Sequence, residues 1–187
     1  MSDNYYISVT LNCRLQPLDR GDHFEDPLFD ALEEAGLGEI DGGGTQMLAN
    51  GEIDYCDIEV ALTDLEKGIP FVIAELEKIG APRGSRLRYS SDDGRKEVAF
   101  GKAEGLALYV NGTDLPDSVY QECNIDYVWE QIDERTSEAT KVLSYWQGPE
   151  ETALYIYGDS NAAAREVIEK LMGEYPLLEK SRLVDIA

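Results

Sequence analysis

The sequence predicts an α+β protein: two tandem ferredoxin-like (β-α-β-β-α-β) repeats packed together. Three observations carry this. Short runs alternate apolar and polar residues, as half-buried strands do. Between them lie apolar stripes at helical spacing, closed by glycines. The same order of elements then recurs: Asn12 answers to Asn111, Pro17 to Pro116, and Ser85–Leu87 to Ser181–Leu183, an offset of 96 to 99 residues. A period this long marks a duplicated domain rather than a solenoid.

In the first repeat, residues 5–13 (YYISVTLNC) place Tyr5, Ile7, Val9, Leu11 and Cys13 on one strand face. A helix is expected from Asp26, as N-cap, and Pro27 to Gly36, with Leu28, Leu32 and Ala35 inward. Residues 45–49 (TQMLA) and 55–62 (YCDIEVAL) read as strands joined at Asn50-Gly51. Thr63 and Glu66 have capping-box spacing ahead of a helix with Ile69, Val72, Ile73 and Leu76 inward, and residues 85–90 close the unit. The second repeat follows suit: strand 105–112, helix 124–134 (Ile125, Val128, Trp129, Ile132 inward), strands 141–146 and 152–158, a helix over 160–173 with Val167 and Leu171 inward, and strand 181–186. The boundaries are 1–92 and 105–187, with 93–104 a linker that adds a strand at KEVAF.

Helices cover one face of such a sheet and leave the other open. Alternation assigns Tyr6, Ser8, Thr10, Asn12, Arg14, Tyr55, Asp57, Glu59, Arg86 and Arg88 to the first open face. Tyr109, Asn111, Tyr155 and Tyr157 fall on the second, with Tyr145 or Trp146 nearby. Either the two faces pack together, or a second copy in a homodimer covers one, or they form a docking surface, for which tyrosine is well suited. The candidate binding set is Tyr6, Asn12, Tyr55, Asp57, Glu59, Tyr109, Tyr155 and Tyr157.

Sixteen Lys and Arg against 38 Asp and Glu give a net charge of −22. That field repels nucleic acid and anionic membranes and favours a basic protein partner. No apolar run reaches the ~18 residues of a membrane span, and no basic segment leads an apolar one at the N-terminus, so a cytoplasmic location is expected.

No cofactor, metal site or catalytic set is expected. Cys13, Cys56 and Cys123 are isolated. The triplet Gly42-Gly43-Gly44 precedes a strand with no following Lys or Arg, unlike a phosphate loop, and reads as a connection needing positive φ. Asp57 and Glu59 share a strand face at roughly 7 Å, a spacing that also suits acid–base work. His23, the lone histidine, reads as a loop residue.

Three passages, GGGTQM…GEIDYCDIEV, KIGAPRGSRLRY and GLALYVNGTDLPDSVY, resemble a group of bacterial proteins of uncharacterised function with this duplicated layout, some of them similar to immunity proteins of toxin systems. The resemblance implies an acidic, stoichiometric inhibitor of a basic toxin or nuclease domain. The alternative expectation is an enzyme or small-ligand binder that uses the cleft between the repeats, with Asp57, Glu59 and Asn12 as polar groups.

Overall fold

A computed structural model describes residues 4–187. The first repeat runs β1 (Tyr5–Leu11), α1 (Pro17–Arg20), a π-helical turn (Gly21–Glu25), α2 (Asp26–Ala35), β2 (Gly38–Met47), β3 (Ile53–Leu62), α3 (Leu65–Ile79) and β4 (Ser85–Ser91). β5 (Gly94–Phe100) follows as a hairpin partner of β4, so the linker's strand belongs to the first sheet. The second repeat is β6 (Glu104–Asn111), α4 (Asp117–Glu122), α5 (Ile125–Arg135), β7 (Lys141–Gln147), β8 (Glu151–Gly158), α6 (Asn161–Glu174), a 3₁₀ turn (Pro176–Leu178) and β9 (Arg182–Asp185).

The sheets are ordered β2-β3-β1-β4-β5 and β7-β8-β6-β9. Omitting β5, each has its unit's first and third strands in the middle, as split β-α-β units require. The inward side chains follow the expected alternation: Ile7, Val9 and Leu11 on β1 and Leu106, Leu108 and Val110 on β6 are buried. Opposite them lie Leu28, Leu32, Val72 and Leu76 in the first repeat and Val128, Ile132, Ala164, Ile168 and Leu171 in the second. On α6 it is Ile168 rather than Val167 that is fully buried.

The expected helix start was too late. Helical backbone begins at Pro17, and Asp26 lies inside it without capping anything. The extra residue of the π turn brings Phe24 into the core. Gly36 ends α2 with φ 63°, the left-handed conformation glycine adopts without a steric penalty. α3 is capped by Asp64, whose carboxylate accepts from the Lys67 amide at 3.1 Å; Thr63 instead donates to the Gly36 carbonyl at 3.3 Å. The short α4 was not anticipated.

The glycine triplet is also different from its expectation. Gly42, Gly43 and Gly44 lie inside edge strand β2, paired with Glu59, Ile58 and Asp57, and none has positive φ. Gly43 is needed for close approach: a Cβ there would stand 2.3 Å from Glu25 Oε1 and 3.1 Å from Arg20 Nη2. That ion pair (Arg20 Nε to Glu25 Oε1, 2.7 Å) lies under the strand, and Arg20 Nη1 also donates to the Gly44 carbonyl and Thr45 Oγ1. The bulge between Ile40 and Gly42, together with the acids Glu39 and Asp41, blunts this edge against unwanted pairing.

Candidate functional site

The two open sheet faces have different fates. The second is buried. Tyr109, Tyr155 and Tyr157 are 5%, 0% and 3% exposed, and with Trp146, Ala107 and Ala153 they join the hydrophobic cluster of the first repeat. They are therefore seam residues and not a docking surface. Nor do the two faces meet each other: the tyrosine face lies against the strand-exit segment 12–16 and the β2–β3 hairpin of the first repeat.

The seam is organised around Glu52, a residue the sequence did not single out. Its carboxylate, on the hairpin tip, is 6% exposed. It accepts from Arg14 Nη1 and the Tyr109 hydroxyl, and from the Tyr155 hydroxyl at 2.9 Å. Burial alone would push this carboxyl up, but the two tyrosine hydrogen bonds and the Arg14 charge outweigh it and hold the acid below its ordinary value. Burial and the Glu52 charge push Tyr109 up to about 12 and Tyr155 higher still. Around this centre, the Arg14 amide donates to Tyr157 Oη (2.8 Å), the Gln16 amide to Ser144 Oγ (2.9 Å), and Ser144 to Asp19 (2.5 Å). Asn12, expected on the open face, has its amide engaged with the Arg83 carbonyl (2.7 Å) and that of Ile186 (3.4 Å).

The first open face stays uncovered. Antiparallel register lines up Glu59, Ser8, Arg88 and Glu97 in one row and Asp57, Thr10 and Arg86 in the next. Ser8 Oγ donates to Glu59 Oε1 and Thr10 Oγ1 to Asp57 Oδ1, each at 2.7 Å, so both carboxylates are oriented while one oxygen of each has no partner among the described residues. Outboard of them lie Gly42 and Gly44, where an added Cβ would meet nothing within 4 Å. The result is two oriented carboxylates beside a bare glycine shelf. Tyr6 stands 61% exposed on the same face, and Tyr55 is half-buried opposite Gln46.

Charge is segregated along the first repeat. Residues 4–62 carry thirteen Asp and Glu against Arg14 and Arg20 alone, and both arginines are tied up in the ion pairs with Glu52 and Glu25. The stretch 83–102 reverses the sign, with six Lys and Arg against three acids. Arg86, Arg88 and Arg95 from it reach the open face, Arg88 paired with Glu97 at 2.7 Å.

The cleft between the repeats does not contain Asp57, Glu59 or Asn12. It is lined instead by His23, the C-terminal turn of α3, Lys102, Glu138, Lys141, Tyr157 and Asp159. His23 sits in the π turn rather than a loop, and its burial lowers its pKa, against a backbone hydrogen bond at Ile79. Among the described residues no cluster of His, Cys, Asp and Glu is arranged to hold a metal ion, and no helix is long and apolar enough to cross a membrane.

No family model matches the sequence, and no curated protein is similar to it at a significant level. Among solved structures, the chain is similar to an unknown protein from Galdieria sulphuraria, with 11% identity over 99% of each chain and a TM-score of 0.31. It is similar to a putative glycine cleavage system transcriptional repressor, with 13% identity over 98% of this chain and 97% of that one, TM-score 0.36. A third is the regulatory subunit of aspartate kinase from Thermus thermophilus, with 11% identity over 89% and 92%, TM-score 0.27. At these levels the likenesses bear on no residue of the site.

Proposed function

We propose that the chain is a protein-binding module that captures a basic partner domain, in the manner of an immunity-type inhibitor of a toxin or nuclease. The observation that carries this reading is the uncovered first sheet face, where Thr10 and Ser8 orient Asp57 and Glu59 beside a shelf of bare glycine backbone. Oriented carboxylates with free oxygens suit guanidinium and ammonium groups. A flat shelf lets a partner's side chains approach them from the strand edge. With both cations of residues 4–62 engaged internally, that flank presents carboxylates only. A net charge of −22 steers a cationic partner toward it, and the Arg86–Arg95 side penalises wrong orientations.

The test is titration against basic toxin and nuclease domains, with an acidic domain of similar size as control. Affinity should fall steeply with added salt. Asp57→Lys and Glu59→Lys should each weaken it by about tenfold or more, while the seam variant Tyr155→Phe should leave it unchanged wherever the protein stays folded. Binding that ignores both salt and Asp57→Lys would overturn the proposal.

A further inference from the structure

On the open face of the first sheet, every row of side chains holds an acid on the β2–β3 side of β1 and an arginine on the β4–β5 side. One row runs Gly42, Glu59, Ser8, Arg88, Glu97 and the next Gly44, Asp57, Thr10, Arg86, Ala99. In a third, Glu39 pairs with Ala61 and Ala61 with Tyr6; the β1–β4 register, carried one residue past Ile7 and Tyr89, brings Ser90 and then Arg95 into line. Glu97 alone departs from the pattern, and Arg88 takes it up at 2.7 Å.

Such rows are complementary to themselves. A two-fold axis running along β1, midway between two facing sheets, lays β4 of one copy over β3 of the other and keeps each row at its own level. Arg86 then faces Asp57, Arg88 faces Glu59 and Arg95 faces Glu39 of the second copy, each pair made twice. Ser8 and Thr10 orient Glu59 and Asp57 for this and leave one oxygen of each without a partner among the described residues. The row ends match in shape. Gly42 and Gly44, where an added Cβ would meet nothing within 4 Å, come opposite Glu97 and Ala99, so outboard side chains meet bare backbone. Tyr6, 61% exposed, lies on the axis strand and meets its own counterpart, ring to ring. The net charge of −22 on each copy opposes approach, but salt screens that long-range repulsion more than it screens pairs in contact.

We propose that two copies of this chain associate sheet to sheet through this face, as an isologous dimer. Five strands ~4.8 Å apart and three rows ~6.8 Å apart make a face of roughly 500 Å² per copy, about 1,000 Å² in all, the size of a weak, reversible contact. The dimer stands on the rows alone. Its consequence, that the second copy covers the docking face until a basic partner displaces it, rests on the function proposed above.

Sedimentation velocity of the full chain by itself, at physiological ionic strength, tests the dimer. At about 100 µM, above the micromolar Kd expected of a small interface, the protein should sediment at twice the monomer mass and dissociate on dilution. The double variant Asp57→Arg, Glu59→Arg sets cation against cation, and Arg86→Glu, Arg88→Glu sets acid against acid. Each should weaken self-association by about tenfold or more. Mixed one to one, the two variants should recover a dimer, because a wholly basic face then meets a wholly acidic one. Tyr6→Lys, which changes no ion pair but puts like charges together on the axis, should weaken self-association as well. A protein that stays monomeric, charge variants that dimerise as the parent does, or a mixture that stays monomeric would overturn the proposal. No basic partner is present in this measurement, so it fails or holds apart from the titration against basic domains.

Discussion

The same sheet face occurs twice in this chain, and the two copies are treated in opposite ways. The face of the second repeat carries Ala107, Tyr109, Ala153, Tyr155 and Tyr157 and is sealed against the first repeat. The face of the first carries Ser8, Thr10, Asp57, Glu59, Arg86 and Arg88 and is open to solvent. Topology therefore does not decide which face is covered. Side-chain chemistry does. Large amphipathic rings interleaved with alanine pack well; the Tyr109 and Tyr155 hydroxyls share one buried acceptor, Glu52, and that of Tyr157 accepts from the Arg14 amide. Charged rows hydrated on one side would cost several kcal/mol per group to bury.

The largest expected effect separates the two carboxylates that stand for these faces. Glu52→Ala removes the acceptor of Arg14, Tyr109 and Tyr155 and leaves a largely covered cation without its counter-charge. It should cost about 3–5 kcal/mol in urea unfolding. Glu59→Ala removes one exposed hydrogen bond and should cost less than about 1 kcal/mol. Similar losses at both positions would break the distinction drawn between the faces.

The pH dependence of stability sharpens it. The depressed Glu52 carboxyl contributes stability that is present above its unfolded pKa of about 4.3 and is lost as pH falls through its lower folded value. For Tyr109 and Tyr155 the sign reverses. Their raised values mean that stability is complete below about pH 10, the unfolded tyrosine value, and declines above it as pH rises toward the folded values, about 12 for Tyr109 and higher for Tyr155. Thermal unfolding of Tyr155→Phe should show a shallower alkaline decline than the parent between those limits. A parallel decline would detach this hydroxyl from the seam.

The smallest contrast lies within the glycine triplet. Gly43→Ala pushes a methyl into the Arg20–Glu25 pair and should cost about 1–3 kcal/mol. Gly44→Ala, facing open space, should be neutral or stabilise by up to about 1 kcal/mol. The two midpoints of denaturation check this directly.

Much of the architecture was legible in residue order. Period-two alternation identified β1, β3 and β6, and the offset between Asn12 and Asn111 exposed the duplication. What alternation cannot do is tell an open face from a face covered by another unit, because Tyr6 at 61% exposure and Tyr155 at 0% occupy equivalent positions in the pattern. Glu52 was missed for a related reason. In sequence it is one acid among 38, beside a turn, and only tertiary contact with Tyr155, 103 positions away, gives it a role. The helix start failed because a π turn breaks the 3.6-residue period that would have revealed Phe24 as core. Asp57 and Glu59 were recognisable from their spacing, but the glycine shelf beside them was not, since the triplet reads as a turn until its pairing with β3 is seen.

The seam also has a bearing on how the chain is made. Arg14 and Glu52 leave the ribosome well before Tyr109 and Tyr155, and N-terminal units fold first during synthesis. A nascent chain paused after the linker already holds a finished first sheet, yet it ends in an apolar rim with a half-satisfied ion pair at its centre. The tyrosine sheet covers that rim once it has emerged and folded. The first repeat thus serves the second as an intramolecular mould.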